Sequence, residues 1–340
     1  MSKTASYRLM GRPESGYSVK VRSALRFKNL PFEWIDRFAN DSLFKAHAKV
    51  PLIPLIFLQD GSAMQDSTPI LEHLDQRHPE PSLHPQDPTL RFLSELMEEY
   101  GDEWGNKLMF HYRWGYPADQ QRRGRTLAQG IVEGKGFGWA SLVATPIMKR
   151  MIIKRMIPRM AFAGANDNNA PILVESFAAL VDMLEAHLKQ RPYLFGGRPA
   201  FGDFGLWGQL WQAWIDPSCE KILNDRAPSV VAWIKRMDHP LVESDFESLE
   251  SLAPTLKPLY EREIAPHFLA WSQANAKAWA AGEKTTELTM EGRRYYQNTF
   301  KYPAGSLQIL VNKYQDAKHD AGLIDFLRDT HCLPFLEPQP

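Results

Sequence analysis

ASYRLMGRPESGYSVKVRSALRFKNLPFEWI, residues 5–35, decides the architecture of the chain's first part. ASYRLM, residues 5–10, predicts a short strand. The stretch Gly11 to Gly16 carries the Gly and Pro punctuation of a turn. From residue 17 to 28, Val19, Val21, Ala24, Leu25 and Phe27 fall largely on one side, which suits a helix. Leu30 to Ile35 predicts a second strand. Strand, helix and strand in so short a span form a parallel βαβ unit, and its crossover should be right-handed.

Downstream the pattern changes. The apolar run Leu55–Leu58 is followed by Gln59-Asp60-Gly61 and then Ser62–Gln65, and Asp-Gly between two strand candidates signals a hairpin. A helix is expected from Ser67, with Pro69 in its first turn and an end near His78-Pro79. Residues 1–80 therefore read as βαβ, a loop and helix, then ββα. The Pro-rich polar stretch 78–87, HPEPSLHPQD, is the linker candidate. Beyond Pro88 strand signals nearly vanish. Long helices are expected over 89–114, 172–189, 203–215 and 228–238, and further helices over 252–276 and 305–318. The expected organisation is a first domain over 1–80, an all-helical domain over 88–250 with an inserted basic segment 115–170, and a helical extension over 251–340. The tail from Thr330 is expected to be draped or frayed.

A chain of 340 residues with 44% apolar and 24% charged residues is an ordinary two-domain globular composition. Its formal net charge is zero, so the chain as a whole has no attraction to nucleic acid or acidic membranes. Cys219 and Cys332 cannot build a disulfide framework, which points to a reducing compartment. The N-terminus lacks a signal-type apolar core, and no run of ~18 uncharged apolar residues exists. The expectation is a cytoplasmic protein. In PIMKRMIIKRMIPRM, residues 146–160, Lys149, Arg150, Lys154, Arg155 and Arg159 alternate with Met and Ile. Such a helix can lie on an anionic membrane. The reading adopted is an added helix whose Met/Ile face packs on the core while its cations are solvated, with membrane contact through 145–160 the less favoured reading.

The order of these elements resembles the cytosolic glutathione transferase superfamily. Ser15-Gly16-Tyr17-Ser18, followed by Val19 to Arg22 and Ala24-Leu25, is similar to that family's active-site turn and first helix. Ile53-Pro54-Leu55, with Gly61 beyond, resembles its cis-proline strand and hairpin. Asp66-Ser67 before Ile70 to Asp75 resembles the acidic residue and serine that open its third helix. Gly202-Asp203-Phe204 resembles the start of its buried C-terminal helix, and Pro228 to Met237 a later one. The resemblance covers residues 5–240. It implies an α/β plus all-α fold: a thioredoxin-like glutathione-binding domain, then an all-helical domain. It also implies a homodimer, and conjugation of the glutathione thiolate to an electrophilic, aromatic or apolar small molecule.

The site it implies can be stated in chemical terms. A free thiol has a pKa of about 8.5, so thiolate is scarce at neutral pH. Ser15 precedes the first helix, where a hydroxyl and a helix N-terminus can both stabilise a sulfur anion. It is the catalytic candidate, with Tyr17 and Ser18 beside it. Plain helix capping by Ser15 is the competing reading. Ile53 and Pro54 would meet the cysteinyl backbone of glutathione in strand fashion. Asp66 and Ser67 would hold its γ-glutamyl end, the carboxylate suiting an ammonium and the helix start a carboxylate. Tyr100, Trp104, Leu108 and His111 share one stripe of the long helix and are candidates for the second-substrate pocket, against the alternative of interdomain core. His111 has no second ligand at metal spacing, so no metal site is expected. With serine in place of cysteine at residue 15, disulfide exchange by this turn is excluded.

Some positions depart from the family's pattern. Leu52 stands where a lysine often contacts the glycyl carboxylate, and Lys45, His47 and Lys49 are substitutes between which the sequence does not choose. Ala200 replaces the usual hydroxyl cap before Asp203. These departures, with the basic segment, motivate the alternative of a non-catalytic binding or scaffold protein of the same fold, similar to the failed-axon and metaxin type.

Overall fold

The computed structural model describes residues 7–337. The chain opens with β1 (Tyr7–Gly11), α1 (Gly16–Phe27), β2 (Phe32–Asp36), α2 (Asp41–His47), β3 (Leu55–Phe57), β4 (Ala63–Gln65) and α3 (Ser67–Arg77). The sheet order is β2-β1-β3-β4, with β2 parallel to β1 and the other two pairs antiparallel. Leu9 stands opposite Trp34 on one side and Ile56 on the other. This is the thioredoxin-like arrangement anticipated from residues 5–65; Ala5 and Ser6 lie outside the described residues. Gly61 turns the hairpin at φ 87°, a conformation open to glycine without penalty. The stretch 78–87 is tied down: Lys28 Nζ donates to the carbonyls of His78 (2.6 Å) and Pro81 (2.9 Å), and Leu83 is buried.

A helical body follows. It comprises α4 (Pro88–Tyr100), α5 (Asn106–Gly115), α6 (Pro117–Gly134), α7 (Ser141–Met156), α8 (Ala170–Leu188), α9 (Phe201–Trp214), α10 (Pro217–Arg226) and α11 (Pro228–Arg236). A π-helical turn, Gly101–Gly105, joins α4 to α5, so the expected long helix is continuous but locally underwound. At its centre α9 is buried almost throughout. Its glycines recur every third residue, and each marks a backbone approach. A Cβ on Gly202 would lie 2.7 Å from the carbonyl of Ser94, on Gly205 2.8 Å from Cα of Glu98, and on Gly208 2.7 Å from the carbonyl of Gly16. The stripe therefore draws α4 and α1 onto one helix. Asp203 closes the start of α9, accepting from the N–H groups of Leu194 and Ala200 and from Trp233 Nε1, each at 2.9 Å. Burial pushes its carboxyl up to about 7 against those bonds.

The last part contains α12 (Leu249–Leu259), a π-helical stretch Tyr260–Leu269, α13 (Ala270–Ala280), β5 (Thr285–Met290), β6 (Arg293–Asn298), α14 (Lys301–Ala317), α15 (Ala321–Asp329) and α16 (Leu333–Leu336). The expectation of a purely helical extension is corrected here. Residues 285–298 form an antiparallel hairpin, its turn made by Glu291 (φ 49°) and Gly292 (φ 75°). For the tail from Thr330, draping holds through Glu337 and fraying is corrected. Cys332 and Leu336 are fully buried, and the Thr330 hydroxyl donates to the Phe326 carbonyl at 2.8 Å. A third correction concerns α7. No residue of it is buried, so its Met/Ile face does not pack on the core.

Overpacking a tight contact costs about 1–3 kcal/mol. Gly205→Ala is expected to lower the unfolding free energy by that much, read as a lower urea midpoint. Gly305→Ala, in α14 with open space around it, should hold or raise the midpoint. Equal effects of the two variants would refute the close-approach reading of α9.

Candidate functional site

A cavity of about 430 Å³ opens where the first domain meets the helical body. Its floor comes from the first domain: Ile53 and Pro54, joined by a cis peptide, with Gln65, Asp66, Ser67 and Thr68. The Gln65 side chain shapes the adjoining loop. Its Oε1 accepts from the N–H of Lys49 (2.6 Å), and its Nε2 donates to the carbonyls of Val50 (2.9 Å) and Leu52 (2.8 Å). Asp66 is held at φ 78°, a sparsely populated region for a non-glycine residue and one that clusters at functional sites. No side chain caps α3, so its first-turn N–H groups lack that partner and favour an anion.

The helical wall consists of Glu99, Asp102, Glu103 and Asn106, which share a face by their three- and four-residue steps. Behind it lies a sealed ion cluster. Lys20, 1% exposed, donates to Asp102 at 2.7 Å and to Thr68 Oγ1 at 3.1 Å, and pairs with Glu98. Thr68 in turn donates to Glu98 at 2.5 Å. Two carboxylates thus share one ammonium. Lys20 stays charged, its pKa raised by both partners against burial. Burial and the Glu98 charge push Asp102 up to about 7, against the pull of Lys20. Glu99 rises further, to about 8, from burial and then from Glu98, with the Ser306 hydroxyl drawing it back. Glu103 is raised to about 7 by burial against the opposing charge of Lys107.

The roof arrives from α14. The Tyr302 hydroxyl donates to Asp66 Oδ2 at 2.9 Å, and Ser306 donates to Glu99. Further along α14, Lys313 bridges Glu72 (3.1 Å) and Glu95 (3.5 Å). With His84 these two form the one group of potential metal donors found among the described residues, and the Lys313 ammonium already pairs with both carboxylates.

The anticipated residues divide. Tyr17, Ile53, Pro54, Asp66 and Ser67 come together around the cavity. Tyr17 donates to the Asp102 carbonyl at 2.9 Å. Ser15 caps α1, accepting from the Ser18 N–H at 3.2 Å, and is not part of the cavity lining. Ser18 is corrected: it is fully buried against Gly11, where an added Cβ would meet its Oγ at 2.7 Å, so it cannot face a ligand. The stripe Tyr100, Trp104 and Leu108 is corrected too. All three lie in the core, with Tyr100 bonded to Glu263 and Trp104 to Ser176. Their apolar periodicity marked the buried side of the helix, and the cavity lies on its acidic side. His111 is buried beside the rings of Tyr112 and Tyr116, and burial lowers its pKa. Lys45, His47 and Lys49 do not line the cavity. Lys20, the acidic face and Tyr302 escaped the sequence reading. The acidic spacing 99, 102, 103 was the available signal for the face; nothing local marks Tyr302, which acts across 236 residues.

Comparison with known sequences bears on the family. The family model for the glutathione S-transferase N-terminal domain matches residues 9–82, and that for the C-terminal domain matches residues 131–236. The second match takes in part of the stretch read as an insertion. The chain belongs to the cytosolic glutathione transferase superfamily, enzymes whose co-substrate is glutathione. It is 21% identical over 275 residues to glutathione S-transferase U6 of Arabidopsis thaliana, covering 76% of this chain and 99% of that one. It is 30% identical over 107 residues to a probable glutathione S-transferase of Solanum tuberosum, covering 30% of this chain and 48% of that one. Among solved structures it is similar to the Tau class enzyme of mango, Mangifera indica, at 18% identity and a TM-score of 0.41, over 75% of this chain and 99% of that one. It is also similar to a Methylobacterium radiotolerans glutathione S-transferase in complex with glutathione sulfonate, at 19% identity and a TM-score of 0.39, over 72% and 99%.

Two outcomes check the electrostatics. Lys20→Met strands two buried carboxylates and should cost about 3–5 kcal/mol in urea unfolding. Adding Asp102→Asn should return part of that loss, and strict additivity would count against the shared ammonium. Glu99 binds its proton more tightly folded than unfolded, so stability falls as pH rises from about 5 towards 8. Glu99→Gln should flatten that fall and raise the melting temperature at pH ~8 by a few degrees.

Proposed function

We propose that this chain conjugates glutathione to an electrophilic, apolar small molecule, with the tripeptide lying along the cavity floor. What supports this most is the convergence of Ile53, Pro54, Asp66 and Ser67 on one cavity beside the start of α1. The backbone N–H and C=O of Ile53 make no bond among the described residues, and they can pair with the cysteinyl unit as an added strand would. Ser67 and the uncapped start of α3 suit the γ-glutamyl carboxylate, and Asp66 suits its ammonium. No Lys, Arg or His is among the lining residues, so the glycyl carboxylate is left to backbone groups or solvent.

Ser15 is assigned to the sulfur. Its oxygen accepts from the Ser18 N–H, which leaves its own proton free to donate. That donation and the α1 N-terminus together stabilise thiolate over thiol. Lowering a thiol pKa by about 2 units needs about 2.7 kcal/mol. The sulfur lone pair then forms a bond to the electrophilic carbon, and the leaving group departs with its bonding pair. The apolar rim of Val50 and Leu52, both exposed, offers a surface to such a substrate.

Calorimetric titration with glutathione and turnover of a chlorinated nitroaromatic test the assignment. Ser67→Ala should weaken glutathione binding by roughly 10-fold or more, the worth of a hydrogen bond to a charged group. Ser15→Ala should cut turnover by about 10²-fold while leaving that affinity nearly unchanged. Full turnover in Ser15→Ala would overturn the role of Ser15, and absence of any glutathione heat would overturn the reading itself.

A further inference from the structure

The α6–α7 hairpin has no part in the cavity, yet it carries the most exposed large apolar side chains among the described residues. Trp139 is 89% exposed, Leu142 84% and Val143 64%, with Ile147 and Met151 continuing the same side of α7. Val143, Ile147 and Met151 follow at four-residue steps, about 6 Å apart along the axis. Monomeric proteins rarely leave such a contiguous apolar strip in water without a use for it.

The charge around the strip is one-sided. Between residues 121 and 163 nine Lys and Arg stand against a single acidic residue, Glu133. Since the whole chain is neutral, the remainder is net acidic. Arg150, Lys154 and Arg155 are exposed and make no ion pair among the described residues. The hairpin is also firmly based. Arg123 donates to the buried Asp216 at 2.9 Å, Asp119 accepts from the Ser218 N–H at 2.9 Å, and Gly124 lets Ile153 close onto α6. It is a built projection, and its cations remain at the surface.

We propose that this hairpin seats the protein on an anionic bilayer surface. Trp139, Leu142, Val143 and Ile147 enter the boundary between headgroups and acyl chains, and Arg150, Lys154 and Arg155 lie against lipid phosphates. Charge selects this occupant. A second copy docking face to face would set one basic strip against another, whereas a phosphatidylglycerol or phosphatidylserine surface complements both components. Among the described residues no helix is long and apolar enough to cross a membrane, so the contact is interfacial.

The test is co-sedimentation of the full chain with vesicles of phosphatidylcholine alone and with about one-third phosphatidylglycerol. Binding is expected to the anionic vesicles only, and to be lost in ~1 M salt. Lys154→Gln with Arg155→Gln should weaken partitioning roughly 25-fold, about fivefold per charge. Trp139→Ser with Leu142→Ser should weaken it by at least about tenfold. Both pairs are exposed, so circular dichroism should be unchanged and glutathione binding unaffected. Failure to sediment with anionic vesicles overturns the proposal, as does binding that survives both double variants. It is equally overturned if the wild type ignores vesicles but self-associates in a way that Trp139→Ser with Leu142→Ser abolishes.

Discussion

The Lys20 ammonium, closed off from water between α1, α3 and the end of α4, sets the spacing of the whole site. Its bonds to Thr68, Glu98 and Asp102 reach the helix that presents Asp66 and Ser67 and the helix that supplies the acidic wall. Removing a charge from water costs several kcal/mol, which only well-placed partners offset. Burial, and after it the neighbouring Glu98 charge, leave Asp102 with a carboxyl that holds its proton unusually well despite Lys20. The cluster therefore fixes geometry more than it adds stability. The α9 glycines let the backbones come close enough for these short bonds to form.

The parts of the fold that local periodicity encodes could be read directly. In the first domain, strand alternation, the Asp60-Gly61 turn and the proline at the start of α3 each act within a few residues, and the sheet follows from them. The hairpin over 285–298 was missed although Glu291-Gly292 separates runs rich in Thr, Tyr and Leu; the surrounding helical pattern outweighed it. The site was half legible. Ile53, Pro54, Asp66 and Ser67, which line the cavity, sit in recognisable turns. Tyr100, Trp104 and Leu108 show the opposite limit: apolar spacing finds the buried face of a helix, and it cannot tell a pocket from a core. Lys20 and Tyr302 belong to long-range pairings that no local pattern marks.

Whole-chain charge misleads in a similar way. A sum of zero suggests indifference to charged surfaces, yet electrostatic influence fades over about 10 Å at ordinary salt, so only local density matters. The hairpin from Pro117 to Met156 concentrates cations that the rest of the molecule balances elsewhere. Its attachment to the turn between β1 and α1 is direct: Gly130 of α6 leaves room for the Arg12 guanidinium, which a Cβ there would meet at 1.9 Å.

The pairing of Tyr302 with Asp66 has a temporal side. A ribosome emits residues in order, and domains near the start fold while the remainder is still being made. The sheet and α3 can be complete long before α14 emerges, since 236 residues separate floor from roof. A nascent chain at that stage presents an acid-lined groove without its roof, and the groove is covered only when the late helix folds back across it.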